Sequence, residues 1–128
     1  MQLKPLSAQQ DSFRDYYSSL RDSSERWEYF GGKMLALVEH IENKVEAPPQ
    51  WAYSDMVSNL WLSKFDKKHS GRVMIQAIPK PGGYDGQQLV GYEIIYHLDA
   101  PWSHVVGYTS DLEVAGKMIL QAIERSGW

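Results

Sequence analysis

The residues best suited to chemistry are two histidines and an aspartate that lie close together in the C-terminal part of the chain. His97 and Asp99 precede an Ala-Pro turn, and His104 follows it. If that turn sets Leu98 opposite Ser103, His97 faces His104 across a strand pair, near enough to share a proton or a metal ion. Asp99 or Glu93 is then the candidate third ligand. The site depends on the register, because a shift of one residue moves the two imidazoles to opposite faces.

Other signatures of chemistry are missing from the sequence. The chain has no cysteine, which excludes disulfides, thiol catalysis and thiolate metal ligands. The loop at 80–88 contains three glycines, but it joins two predicted strands, whereas a phosphate-binding loop leads into a helix. We therefore expect no cofactor and no catalytic activity.

A sheet must position these histidines, and the apolar pattern predicts one within residues 72–109. Alternating apolar residues indicate strands over 73–79, 89–98 and 102–109. On the middle strand the tyrosines and Ile94 share the face expected to meet helices, and His97 lies on the other. The predicted fold class is α+β, with a small antiparallel sheet of about three strands packed against N-terminal helices and a C-terminal helix.

Helices are predicted from three- and four-residue spacing of apolar side chains. They cover about 8–21, 25–45 and 111–125. Ser110 and Glu113 have the spacing of a capping box, which predicts the start of the last helix, and Gly127 is placed to end it. Ser7 and Gln10 have similar spacing ahead of the first helix.

Two places in this pattern are less regular. Gly31 and Gly32 weaken the middle of the second helix and predict a kink or a break there. The stretch 54–68 fits a helix or a strand, and we favour a helix because polar residues precede it, lysines fall near its end and Gly71 follows.

Length and composition indicate an ordinary globular protein. The 128 residues fit one domain spanning 1–128, and 43% hydrophobic with 23% charged residues is typical of a chain that folds unaided. No apolar stretch reaches the roughly 18 residues that a spanning helix needs, and the first ten residues lack a signal-peptide pattern. We therefore predict a cytoplasmic protein without a membrane partner.

Charge argues against general binding to nucleic acid. Thirteen basic and sixteen acidic side chains give a formal charge of −3, which has the wrong sign for a phosphate-backbone binder and favours a basic partner. Lys64, Lys67, Lys68, His69 and Arg72 form a local basic cluster, which we interpret as a solvated turn.

Aromatic residues give the clearest functional indication. Five tryptophans and eight tyrosines are too many for the interior of so small a fold, so some must lie at the surface, where such rings anchor protein interfaces. We predict that the tryptophans and tyrosines outside the periodic stretches are partner contacts, together with an aspartate beside one of them at a loop tip. They are Trp51, Tyr53, Tyr84, Asp85, Trp102 and Trp128.

These observations predict a non-enzymatic protein-binding module. Small size, absence of cysteine and mild acidity are shared in general with toxin-immunity proteins and phage-encoded inhibitors of host defence, so a small intracellular inhibitor or antagonist is the narrower prediction. One alternative is a small-molecule or metal-binding domain with a pocket between sheet and helices, lined by Tyr92, Tyr96, Trp102 and Tyr108 beside a histidine. A second alternative is a nucleic-acid-associated accessory protein. The sequence leaves the oligomeric state open.

Overall fold

The computed structural model describes residues 1–7, 12–23, 25–55, 59–67, 70–79, 90–98 and 103–127, without the side chains of 25–29, 79 and 90. These residues form an α+β fold with three helices and six strands. The elements are β1 (Leu3–Pro5), α1 (Phe13–Ser23), α2 (Glu25–Lys44), β2 (Gln50–Asp55), β3 (Asn59–Ser63), β4 (Gly71–Pro79), β5 (Val90–His97), β6 (Ser103–Thr109) and α3 (Leu112–Arg125).

The six strands form one mixed sheet in the order β1-β2-β3-β4-β5-β6. The prediction of about three strands was too low. β1 is parallel to β2, as the helical connection through α1 and α2 allows, and every other neighbouring pair is antiparallel. β1 escaped prediction because three residues are too few to show a period.

The main core lies between the sheet and the helices. α2 contributes an apolar stripe of Met34, Leu37, Val38 and Ile41, each fully buried. It meets one face of the central strands, including Ile75 and side chains paired with it across the sheet. α3 packs over β4, β5 and β6, and α1 packs on α2. All three helices therefore cover the same face.

The two central glycines of α2 do not break the helix, contrary to the sequence expectation. α2 is continuous from Glu25 to Lys44. Gly31 is buried where α1 crosses, and a Cβ there would lie 2.6 Å from the Cα of Arg21. Its missing side chain lets the two backbones approach.

The segment predicted as a helix over 54–68 is instead the end of β2, followed by β3 and a turn. Leu60 and Leu62 face the helices, while Tyr53 and Trp61 pair on the opposite face. The period of two was obscured because both faces of this hairpin carry apolar side chains.

The C-terminal helix matches its prediction with its start one residue later. Asp111, not Ser110, is the N-cap, and its carboxylate accepts a hydrogen bond from the N–H of Val114 at 3.0 Å. Gly127 follows the helix with a positive φ of 81°, as expected of a residue after the C-cap. Among the described residues, no helix is both long and apolar enough to cross a membrane.

Candidate functional site

The predicted histidine pair does not form, because the register differs by one residue from the assumed one. His97 pairs with Ser103, and His104 pairs with Tyr96. Side chains alternate along a strand, so the two imidazoles lie on opposite faces of the sheet. His104 stacks on Tyr96 with ring centroids 5.0 Å apart. Asp99 lies outside the described residues.

The face without described helices, here called the second face, carries a row of stacked rings. Tyr53 stacks on Trp61 with centroids 6.1 Å apart, and Trp61 stacks on His97 at 5.5 Å. The indole N–H of Trp61 donates to Asp55 at 2.8 Å. Gly71 leaves room for the indole, since a Cβ there would lie 2.7 Å from it. The row fixes these side chains against the sheet.

Burial on the second face shows that the aromatic row is partly shielded. Tyr53 is only 7% exposed, so most of its ring packs within the fold, and its role as a partner contact stays a prediction. Met74 and Ile95 on the same face are also buried, outside the main core. The Nε2 atom of His97 is shielded and has no hydrogen-bond partner among the described residues. His97 therefore contributes ring contact here.

The alternative pocket between sheet and helices does not gather its predicted lining. Tyr92 is buried and its hydroxyl donates to the carbonyl of Lys33 at 2.6 Å, whereas Tyr108 pairs with Glu93 on the second face. A surface depression of about 410 Å³ lies elsewhere, between α1 and α2. The described residues contain no cluster of three metal-ligating side chains.

Only two of the predicted partner contacts are described. Tyr84, Asp85, Trp102 and Trp128 lie outside the described residues. Trp51, at the start of β2, is half-buried, and the ammonium of Lys4 sits 4.4 Å from the centroid of its ring. Because Trp51 pairs with Ser63 across β2 and β3, this cation–π contact places Lys4 and Trp51 beside Ser63.

An exposed phenylalanine in the connection between β3 and β4 was not among the predicted partner contacts. Phe65 is 61% exposed. Among the described residues, it is the largest apolar side chain with more than half of its surface exposed. It belongs to what we call the Phe65 turn, described at residues 63–67 and 70. Isolated exposed apolar residues are common on proteins, so its setting decides what it means.

Hydrogen bonds fix the Phe65 turn. The hydroxyl of Ser63 is fully buried and donates to the carbonyl of Phe65 at 2.9 Å, while the N–H of Phe65 approaches the same hydroxyl at 3.2 Å. The two hydroxyls of Ser63 and Ser70 are 2.5 Å apart. The N–H of Lys67 donates to the Phe65 carbonyl at 2.8 Å. Phe65 is thus presented on an ordered backbone.

A second clamp ties this turn to the N-terminal segment. Ser7, predicted as a helix cap, instead donates from its hydroxyl and its N–H to the carboxylate of Asp66, at 2.5 and 2.8 Å. These two hydrogen bonds hold the pKa of the Asp66 carboxyl below its usual range, and the bond from the Ser7 hydroxyl contributes more than the bond from the backbone N–H. The cap at α1 is Ser12, which accepts from the N–H of Asp15 at 3.1 Å.

Removing the buried hydroxyl should loosen the turn. We expect Ser63→Ala to lower the free energy of unfolding by about 1 kcal/mol, because the Phe65 N–H and the Ser70 hydroxyl lose their common partner. Amide hydrogen exchange at Lys67 should accelerate as well. Ser23→Ala is the matched control, since its exposed hydroxyl bonds only within α1 and its loss should change neither quantity measurably. Unchanged exchange at Lys67 in Ser63→Ala would show that the hydroxyl does not order the turn.

Comparison with known proteins yields no relative: no protein-family model matches this chain, and no curated protein or solved structure matches it significantly. Function has to be inferred from the residues themselves. The sequence signal that could have indicated an ordered turn is the pair of serines, Ser63 and Ser70, on either side of the basic segment that contains Phe65. Their hydrogen bond becomes visible only in the fold.

Proposed function

We propose that this protein is a protein-binding module that acts by covering a surface of its partner, with Phe65 as the anchor. The observation that supports the proposal is an aromatic side chain 61% exposed on a turn whose backbone is held by a buried serine hydroxyl. Aromatic residues dominate the energetics of protein interfaces, and an anchor already in place loses little conformational entropy on binding.

The surroundings of the turn add support. β3 ends at Ser63, β4 begins at Gly71 and β5 ends at His97, so their register brings these ends together. Leu98, 39% exposed, follows β5 at this end and accepts a hydrogen bond from the guanidinium of Arg72. A partner here would meet two apolar side chains on the rim of one sheet.

The narrower form of the proposal is an inhibitor or antagonist of toxin-immunity or phage anti-defence type. It requires that the surface covered by the Phe65 turn be one the partner needs for its own activity. Adding the purified protein to its isolated partner should then abolish that activity in proportion to the occupied fraction. A partner that stays fully active when saturated would leave a binding module that is not an inhibitor.

Photo-crosslinking tests the anchor directly. Phe65 replaced by the photoreactive analogue benzoylphenylalanine keeps an aromatic ring in place and should crosslink a discrete partner protein in cells. Val114, 39% exposed on α3, which packs over β4, β5 and β6, is the matched control position for the same analogue. Unlabelled wild-type protein should compete with the crosslink from position 65, whereas Phe65→Ala should compete poorly.

The expected magnitude follows from the area that Phe65 exposes. Burying it against a partner is worth about 1.5–2 kcal/mol, so Phe65→Ala should raise Kd roughly 10- to 30-fold. The free energy of unfolding of the Phe65→Ala variant should differ from that of wild type by no more than about 0.5 kcal/mol, because most of the ring lies outside the fold. Identical crosslinks from positions 65 and 114, or full competition by Phe65→Ala, would refute the proposal.

A further inference from the structure

We infer that the partner surface bound by the Phe65 turn is an acidic polypeptide segment carrying an apolar side chain. The inference rests on the proposed function and names the chemistry of the partner. It reverses the expectation from net charge, which favoured a basic partner. Net charge sums over the whole surface, whereas a partner meets the charges around the anchor.

The charge of the chain is unevenly distributed. Between 64 and 72 fall four of the thirteen basic side chains and one of the sixteen acidic ones, so this stretch is formally +3. With a total of −3, the remainder carries −6. The described basic residues of this stretch, Lys64, Lys67 and Arg72, lie between or next to the strand ends at Ser63 and Gly71, at the end of the sheet that carries Phe65.

The cations beside the anchor are not neutralised within the described part of the fold. Lys64 and Lys67 flank Phe65 and are exposed, and neither forms an ion pair among the described residues. Asp66, which lies between them in sequence, accepts two hydrogen bonds from Ser7 and forms no ion pair with either lysine among the described residues. Both described ion pairs lie on the helices instead, at Arg14–Glu39 and Arg21–Asp22. Unpaired ammonium groups on both sides of an apolar anchor complement carboxylates on both sides of an apolar residue.

Further positive groups extend this surface along the rim. The ammonium of Lys4 lies over the ring of Trp51, and Trp51 pairs with Ser63 at the base of the turn. Arg72 is exposed at the start of β4. Cationic side chains on β1, on the turn and on β4 thus lie near the end of the sheet that carries Phe65.

An acidic polypeptide fits this surface better than a nucleic acid does. Duplex DNA carries one negative charge per about 1.7 Å of its axis, and its binders spread many cations over a long footprint. Here the cluster of cations is short, with four basic side chains between 64 and 72, and the −6 of the remaining chain would repel an extended polyanion. A short acidic segment meets only the rim, and its apolar residue fills the contact that Phe65 offers.

Selection from a random peptide library tests the inference, because such a selection requires no identified partner. Peptides that bind wild-type protein should be enriched in Asp and Glu around an aliphatic or aromatic residue. Their Kd should rise at least tenfold with the double variant Lys64→Glu/Lys67→Glu and should rise with salt. Lys117→Glu/Arg125→Glu, the same change in charge on exposed positions of α3, is the matched control and should alter Kd less than twofold.

The outcomes separate the inference from the proposed function. If Phe65→Ala weakens binding and Lys64→Glu/Lys67→Glu does not exceed its control, the anchor stands and the acidic partner is wrong. If neither variant weakens binding, both are wrong. A selection that yields no acidic enrichment, or no binders, overturns the inference. Tighter binding of a labelled oligothymidine about twenty residues long than of the selected peptides would replace the acidic polypeptide with single-stranded nucleic acid.

Discussion

Two adjacent glycines in α2 should respond in opposite directions to the same substitution. We expect Gly31→Ala to lower the free energy of unfolding by about 1–3 kcal/mol, because the new Cβ would lie 2.6 Å from the Cα of Arg21 and the helices would have to separate. Non-bonded carbons prefer about 3.5–4.0 Å, so this position cannot relax without moving backbone. Urea unfolding at constant pH measures the change.

Gly32→Ala is the matched control within the same helix. A Cβ at Gly32 meets no other atom within 4 Å, so the substitution adds no clash. Alanine in a helix interior is favoured over glycine by about 0.5–1 kcal/mol, and stability should rise by that amount. If both variants shift stability in the same direction, the close approach of α1 and α2 at Gly31 is wrong.

The protein should lose stability steeply above pH 10 because of two buried tyrosines. Burial raises the pKa of Tyr17 and of Tyr92 far above the ordinary value near 10. For Tyr17 a hydrogen bond from Ser54 offsets part of that rise. Both hydroxyls act as donors inside the fold, to the carbonyls of Asn59 and Lys33, each at 2.6 Å. Each phenol must therefore stay protonated in the native state.

The direction of the effect follows from proton counting. Above pH 10 the unfolded chain has released these two protons while the native state keeps them, so the unfolded state binds fewer protons and stability falls as pH rises. The slope approaches about 1.4 kcal/mol per pH unit for each tyrosine, or about 2.8 for both. Below about pH 9 the two groups contribute no pH dependence, because both states are protonated.

Urea unfolding between about pH 8 and pH 11.5 measures this slope, and tyrosinate absorbance in the near ultraviolet counts the released protons. The variant Tyr17→Phe/Tyr92→Phe removes both phenols and should flatten the alkaline slope, at a cost of about 1 kcal/mol per lost hydrogen bond at neutral pH. A double variant with the same alkaline slope as wild type would show that other groups cause the loss.

Sequence predicted best the elements in which one face is apolar and the other polar. The last helix, expected over 111–125, spans Leu112–Arg125, and the strand expected over 102–109 spans Ser103–Thr109. When only one face of an element is buried, its apolar residues recur with a clear period. That period can be read from the sequence without knowledge of what packs against it. The prediction of a helix for the hairpin of β2 and β3 was wrong because packing on both faces of the sheet removed that contrast.

The candidate site was far less predictable than the fold. The two histidines were correctly expected on neighbouring strands, but one residue of register decided that they face away from each other. Around Phe65 the sequence indicates only a solvated turn. The ordered backbone around this residue depends on the buried hydroxyl of Ser63 and on Ser7, which is 59 positions away from Asp66.

The sequence by itself determined the α+β class, the helices that became α1, α2 and α3, the strands of the C-terminal half and the overall charge, because each is a sum or a period over neighbouring residues. Tertiary structure alone decided the strand register, the close approach at Gly31, and the exposure of Phe65 beside two lysines that form no ion pair with other described residues. Each of these depends on pairs of groups far apart along the chain. Such pairs are selected by packing and hydrogen-bond energies of the whole fold, and local pattern carries no record of them.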